Sequence, residues 1–432
     1  MLENAINEVM DLLKRLTPLS RTLVHPDNDL ALKIIGDALG KGLSISSYPS
    51  GQKVWTWRIP NEWQLQESKI EDAKTGELLW DGTSHPLATV NYSLSFSGEL
   101  TAKELAPHLY SAQDRPNAIP FVFRFYNRDW GFCLPESIRN KILQYDRLRV
   151  NIIADELPGS LKIGTLTLPG ASEKEFIICT NICHPSIAND SISGAAVALA
   201  LVKYLRQKSS LKYTYRFLWL PETIGSVAYL ANNEDVIERA IGGLFLEMLG
   251  NENSLCLQFS RSGNSYWDKV AKSTLVDMGC EFRTAAFLQS ASNDEKVFDS
   301  PGVDIPMISI TRFPYPEYHT SDDNIDLISC HKIKEAIDFM CLFLDRVESD
   351  YIPNYLTRGP VCLAENGLYP DWYRNPEKKD QWEAFLKIMY SLDGKRSVEV
   401  LANDLCMPVN LVHFWFNSFI EKGFIKKSQL KW

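Results

Sequence analysis

The sequence predicts an α/β protein: a three-layer core with a mixed, mostly parallel sheet and helices on both faces, an inserted small β domain, and a C-terminal winged-helix domain. Three observations predict this. Apolar strand and helix patterns alternate from 150 to 350, which implies βα units. From about 53 to 145 the texture changes to short alternating runs between turn signals. Beyond 373 the chain reads helix, helix, turn, helix and hairpin, a winged-helix pattern.

Residues 1 to about 50 read as helical. Leu2, Ile6, Val9, Met10, Leu12 and Leu13 recur at helical spacing. Asp27-Asn28-Asp29 offers caps for a second helix over 30–38, and Pro49-Ser50-Gly51 ends the stretch. In the β-rich segment, 54–59 and 90–96 alternate, with turns at Thr75-Gly76, Asp81-Gly82 and Ser97-Gly98. Trp55, Trp57, Trp63, Trp80 and Trp130 fall here, either as a ligand-stacking platform or, the favoured reading, as packing. Strands are expected over 161–167, 175–180, 214–220, 242–248, 255–259 and 306–310. Helices are expected over 192–207, 226–232, 264–278 and 331–347. Residues 351–372, rich in Pro, Tyr and Gly, read as a linker. The expected division is therefore 1–52 plus 146–350 as the core, 53–145 as the insertion, and 373–432 as the winged-helix domain.

A net charge of -9 argues against a nucleic-acid or anionic-membrane partner for the whole molecule. Residues 1–15 lack the pattern of a signal peptide, and no run has the apolar length of a membrane span. The nine cysteines are scattered without a CxxC pair, so reduced thiols in a cytoplasm are expected. Cys179 and Cys183 have a spacing compatible with metal, but Cys179 lies in an apolar strand and reads as core. The aromatic segment and the apolar helix at 408–421 together predict a homo-oligomer.

The run from Cys183 to Gly194 (CHPSIANDSISG) sets His184 and Asp190 on a polar loop between an apolar strand and an apolar helix. That is where α/β enzymes build a cleft. Zinc takes His nitrogens and carboxylate oxygens with one position left open, and both residue types are present. Asp190 has a competing reading as a plain helix cap. Glu222 ends the next strand, placed to take a proton from water; its alternative is a helix-start acid. Glu247 ends the apolar run 243–246, where it needs a cation or an arginine partner. His319 lies in an aromatic and acidic loop, with Asp322 or Asp323 available to orient its ring. His25, His85, His108, His331 and His413 lack such neighbours and read as structural.

These motifs, with PETIGS at 221–226, LEMLG at 246–250, residues 293–298 and 302–306, and YHTSDD at 318–323, resemble a bacterial family of aminopeptidase-like proteins. Residues 54–63 and 130–133 resemble its β-domain signatures, so the likeness spans the chain. The family is often associated with polysaccharide biosynthesis and is similar to the co-catalytic zinc aminopeptidases. The resemblance implies that His184, Asp190 (as bridge), Glu247 and His319 hold one or two zinc ions and that Glu222 is the general base. It also implies a cis peptide at Asp190-Ser191. Three departures are visible. Thr223 stands where the aminopeptidases carry a second Glu, the segment from there to Gly225-Ser226 is shortened, and the loop between His184 and Asp190 is much shorter than theirs. Glu222 is then either base or ligand.

The function so implied is that of a zinc-dependent aminopeptidase or related amidohydrolase, in which metal-bound water attacks an amide carbonyl. Its substrate is a small peptide or an aminoacyl or acyl amide, with Asp294 or Glu317 holding an ammonium and Tyr318 steadying the oxyanion. Two alternatives are a winged-helix DNA-binding regulator and a degenerate scaffold that senses a ligand. The recognition-helix candidate at 408–421 has no Lys or Arg, which weighs against DNA.

Overall fold

The structure, a computed structural model, describes residues 2–369, 373–375 and 379–432. Its largest sheet has eight strands, in the order Ser44–Pro49, Ser160–Leu168, Thr214–Leu220, Glu175–Asn181, Ala240–Leu246, Met307–Thr311, Leu255–Gln258 and Phe282–Ala285. The four strands from Thr214–Leu220 to Met307–Thr311 run parallel. Antiparallel pairings flank them on both sides, so the sheet is mixed. Every residue of Glu175–Asn181 is buried, which explains the apolar run at 176–179: both faces of the strand are covered. Parallel strands bring their carboxyl ends to one edge, and the loops carrying His184, Glu222, Glu247 and His319 all leave from that edge.

Helix Ile192–Arg206 is buried on nearly every face, and its sequence is correspondingly apolar all round. It starts directly against the end of the strand Ala240–Leu246. A Cβ on Gly194 would sit 2.2 Å from the Leu246 carbonyl oxygen. No other residue type allows that approach without a backbone shift.

The structure departs from the sequence expectations at several elements. Ser44–Pro49 is an edge strand, not helix. The second helix spans Pro26–Leu39; its cap is His25, whose Nδ1 accepts the Asp27 N–H at 3.1 Å. Residues 54–59 form a tight two-strand hairpin rather than one strand. Residues 90–95 are irregular despite their alternation, because Tyr92 turns left-handed at φ 62° to stack on Trp63. Around them Leu78–Asp81, Glu62–Asp72, Arg147–Leu157 and Phe96–Thr101 make a four-stranded antiparallel sheet. Trp63, Trp80 and Trp130 pack inward, but Trp55 and Trp57 remain exposed.

Two compact units emerge, residues 1–262 with 282–338, and residues 263–281 with 339–432. The second contains helices Tyr266–Met278, Lys379–Tyr390, Val398–Asp404 and Val409–Glu421 around Phe385, Ile388, Val398, Leu401, Val412 and Phe416. Its strand Ile425–Ser428 does not fold into the expected hairpin. It pairs antiparallel with Ile352–Tyr355, inside the stretch read as linker. Residues 370–372 of that stretch lie outside the described residues. No described helix is long and apolar enough to cross a membrane.

Candidate metal centre

The loop after strand Glu175–Asn181 is held by buried charge. Arg21 is fully buried and donates from Nη1 to the carbonyls of Ile182 (2.8 Å) and Cys183 (3.1 Å), and from Nη2 to that of Ile187 (3.0 Å). Burial lowers its pKa to about 10, and nearby acids including Asp190 and Asp323 keep it a cation. Asp323 accepts the N–H groups of Asn189 (2.6 Å) and Asp190 (3.2 Å) and the Tyr315 hydroxyl (2.5 Å). Burial pushes its pKa up to about 7. His184 and His319 both adopt left-handed backbone, at φ 79° and 54°, unusual for a side-chain-bearing residue. The Asp190-Ser191 peptide is cis, as the resemblance implies.

Three of the named residues converge. Ligand atoms of His184, Asp190 and His319 lie within 4.8 Å of one another. His184 Nδ1 is 3.7 Å from Asp190 Oδ1, and His319 Nε2 is 3.0 Å from Asp190 Oδ2. Glu222 Oε2 approaches the other side of the His184 ring, 3.3 Å from Nε2. Burial disfavours charge on His184, but Asp190 and Glu222 outweigh it and raise its pKa. Burial likewise disfavours charge on Asp190, yet the two imidazoles hold it well below the usual carboxylate range. Asp190 is no helix cap: the cap position of Ile192–Arg206 is Ser191, whose hydroxyl donates instead to Asp190 Oδ1 at 2.7 Å. His184 Nδ1 and Asp190 Oδ2 are buried without a hydrogen-bond partner. Buried polar atoms are costly in that state. Two imidazoles and a carboxylate with uncommitted atoms fit a zinc ion.

A second triad, Cys183 with His184 and Glu222, meets the same distance limit. Its sulfur already accepts the Glu222 N–H at 3.1 Å, and burial pushes the thiol pKa well up. Glu247 belongs to neither triad. It is fully buried, accepts from Asn293 Nδ2 and, at 3.2 Å, from the Ser309 hydroxyl, and no arginine pairs with it among the described residues. Burial, with Glu295 beside it, raises its pKa well above the ordinary value. Asp294 is buried too. It accepts the Thr223 N–H at 3.0 Å and the Ser226 hydroxyl, closing the start of helix Ile224–Ala231 just after Glu222. Glu317 pairs with Arg115 at 3.3 Å, and Asp322 pairs with the same arginine at 2.5 Å. Tyr318 stacks on the His319 ring with centroids 3.9 Å apart.

One residue unremarked in the sequence joins the cluster. Phe121, from the β-rich segment, sets its ring edge-on to both imidazoles, 5.1 Å from His184 and 5.2 Å from His319. Its N–H donates to the His319 carbonyl at 2.8 Å, and Ser321 N–H to that of Ile119 at 2.8 Å, so this segment clasps the His319 loop. A cleft of about 410 Å³ opens from His184 and Glu222, walled by Phe121, Phe123, Phe125 and Trp57.

Comparisons with known proteins show the family and the fold. A family model described as a domain of unknown function, DUF4910, matches residues 10–350. A Clostridium acetobutylicum protein named as a polysaccharide biosynthesis protein with aminopeptidase-like domain is 30% identical over 367 residues, 84% of this chain and 83% of its own. A crystal structure of a protein from Clostridium acetobutylicum, named as a peptidase, superposes with a TM-score of 0.84 at 26% identity, covering 99% of this chain and 98% of that one. A zinc aminopeptidase from Bacillus subtilis superposes with a TM-score of 0.60 at 15% identity, over 80% of this chain and 95% of that one. A peptidase M28 precursor from Shewanella amazonensis gives 0.58 at 11% identity, over 83% and 98%. The last two share the fold, that of peptidase-like hydrolases.

Proposed function

The chain belongs to the DUF4910 family of aminopeptidase-like proteins, and from that premise we propose that it is a zinc-dependent hydrolase of amide bonds, an aminopeptidase or a related amidohydrolase. The observation that carries this is the convergence of His184, Asp190 and His319 with buried, uncommitted ligand atoms beside Glu222. In this reading those three residues hold a single zinc ion. The hydrogen bonds already accepted by Glu247 and by the Cys183 sulfur favour that set over a second ion.

Bound there, zinc supplies Lewis-acid polarisation of the amide carbonyl and acidifies water. Glu222 Oε2, at the cleft wall, accepts a proton from water as its oxygen adds to the acyl carbon. The same oxygen returns the proton to the nitrogen as the C–N bond breaks, so amide and water become acid and amine. Tyr318, a neutral phenol stacked on His319, donates to the carbonyl oxygen as charge builds there. Phe121 excludes water from the far side of both imidazoles. The association of a relative with polysaccharide biosynthesis points to an acylated sugar amine as readily as to a peptide.

The test is Glu222→Gln, loaded with zinc and assayed on aminoacyl amides and N-acylated sugars. Turnover is expected to fall by about two to four orders of magnitude, the usual worth of a general base, while zinc content by elemental analysis stays that of the wild type. Undiminished turnover removes Glu222 as the base. His184→Ala should instead lose the zinc.

A further inference from the structure

The cleft in front of Glu222 is built for a different substrate end from the one an aminopeptidase takes. Among the described residues lining it, Glu222 is the one carboxylate, whereas Lys296 and Arg124 bring two cations. Neither acid expected to hold a substrate ammonium lines the cleft. Asp294 Oδ1 accepts from Thr223 and Ser226 while its Oδ2 is buried without a hydrogen-bond partner, and Glu317 pairs with Arg115. Lys296 Nζ donates to the Ser292 carbonyl at 3.0 Å. Arg124 donates from Nη1 to the Phe123 carbonyl at 3.2 Å and from Nη2 to the Tyr110 hydroxyl at 2.6 Å, and its buried Nε, 3.9 Å from Asp129 Oδ2, has no hydrogen-bond partner.

The opposite feature is a run of rings leading away from the metal ligands. Phe121 meets His184 edge-on, Phe123 lies 5.4 Å from Phe121, and Phe125 stacks on Phe123 at 4.4 Å and 16°. Tyr126 meets Trp57 edge-on at 5.8 Å. Phe123, Trp57 and Tyr126 are 39%, 37% and 50% exposed, large apolar surface kept open to solvent where packing would hide it. Exposed rings beside a cleft present stacking faces to flat or ring-shaped ligands.

We infer that the substrate is an amide bearing an anionic group, carboxylate or phosphate, next to a ring, with the anion at Lys296 and Arg124 and the ring on the Phe123–Trp57–Tyr126 wall. This rests on the hydrolase reading for the identity of the scissile bond, but not for the binding. Equilibrium binding to the zinc-loaded full chain separates the two. The probes are N-acetylglucosamine 1-phosphate, N-acetylphenylalanine, their neutral counterparts N-acetylglucosamine and N-acetylphenylalaninamide, and leucinamide as the cationic case. Titration calorimetry reads affinity, and release of amine reads turnover.

At least one anionic probe is expected to bind about tenfold or more tighter than its neutral counterpart, the worth of one charge-assisted hydrogen bond. The phosphate and carboxylate arms tell which anion is preferred. Lys296→Met should collapse that ratio toward one and Lys296→Arg should restore it, which a fold defect would not do. A ratio near one in the wild type, a preference for leucinamide, or an undiminished ratio in Lys296→Met overturns the inference. If the ratio holds but no probe is hydrolysed by a chain whose Glu222→Gln variant binds equally, the hydrolase reading fails and this one stands.

Discussion

Gly194 shows how little slack the proposed metal-binding residues have. It lies four residues after Asp190, and a Cβ there would meet the Leu246 carbonyl oxygen at 2.2 Å, one residue before Glu247. Because the obstacle is backbone, Gly194→Ala must push helix and strand apart rather than rotate a side chain. The expected cost is about 1–3 kcal/mol, as for other overpacked cores. It should appear as a lower urea midpoint at unchanged slope, together with weaker zinc retention because Asp190 moves with the helix. An unaltered midpoint would refute the close approach. At this scale the sequence exposes part of the site and hides the rest. His184, Asp190, Glu222 and His319 are legible because each is a polar residue in a loop that follows an apolar strand, and the structure draws them together. Arg21 is not legible. Its carbonyl partner at Ile182 is 161 residues away, and nothing local marks an arginine whose task is to satisfy a distant loop. Phe121 is hidden for a related reason: an aromatic in a β-rich segment reads as core until the fold sets it against two imidazoles.

The central strands are the most legible elements, since burial on both faces leaves apolar runs at 176–179 and across Ala240–Leu246. The edges are not. Ser44–Pro49 and Phe282–Ala285 are short and mostly exposed or half-buried, so no pattern distinguishes them from loop. One buried acid anchors the start of the central strand and gives it a pH signature. Glu175 accepts from Arg216 Nε at 2.5 Å and from Arg239 Nε at 2.7 Å. Burial alone would raise its pKa, but the two guanidinium groups overcome that and hold it below the ordinary value. A carboxyl depressed in the folded state stabilises the fold above its unfolded pKa, about 4.3. That contribution disappears as pH falls through the folded value. Wild-type stability should therefore decline on acidification below about pH 4, and the difference between wild type and Glu175→Gln should shrink over the same interval. At neutral pH that variant should lose about 2 kcal/mol, because the half-buried Arg216 loses its acid while Arg239 keeps Asp235. A difference that stays constant from pH 7 to pH 3 in urea titrations would show that Glu175 carries no such linkage.

For the whole molecule, the family match and the packing put the boundary in different places. The family model ends at residue 350, where a sequence-guided truncation would cut. Yet the unit completed by residues 351–432 also includes 263–281, drawn from inside the matched region. Helix Tyr266–Met278 belongs to that unit. Trp267 is 1% exposed, its ring stacked on Trp432 at 5.0 Å and 2°. Arg346 binds Asp277 at 2.8 Å on that helix and Glu399 at 2.5 Å on helix Val398–Asp404. Cutting at 350 removes Glu399 and Trp432 together, along with the Val398, Leu401, Val412 and Phe416 core. Arg346 then keeps one acid where it had two, and Trp267 and its neighbours face water. An apolar face of that kind, left on a helix and freshly uncovered, is an association site rather than a surface. A chain of residues 1–350 should consequently aggregate or elute in the void of a sizing column under conditions where the full chain gives a defined peak. Trp267→Ala in the full chain should show the milder form of the same defect, a loss of about 3–5 kcal/mol for a fully buried aromatic. A soluble 1–350 fragment melting within a few degrees of the full chain would mean that the last eighty or so residues contribute nothing to holding helix Tyr266–Met278, and would move the boundary back to where the family match draws it.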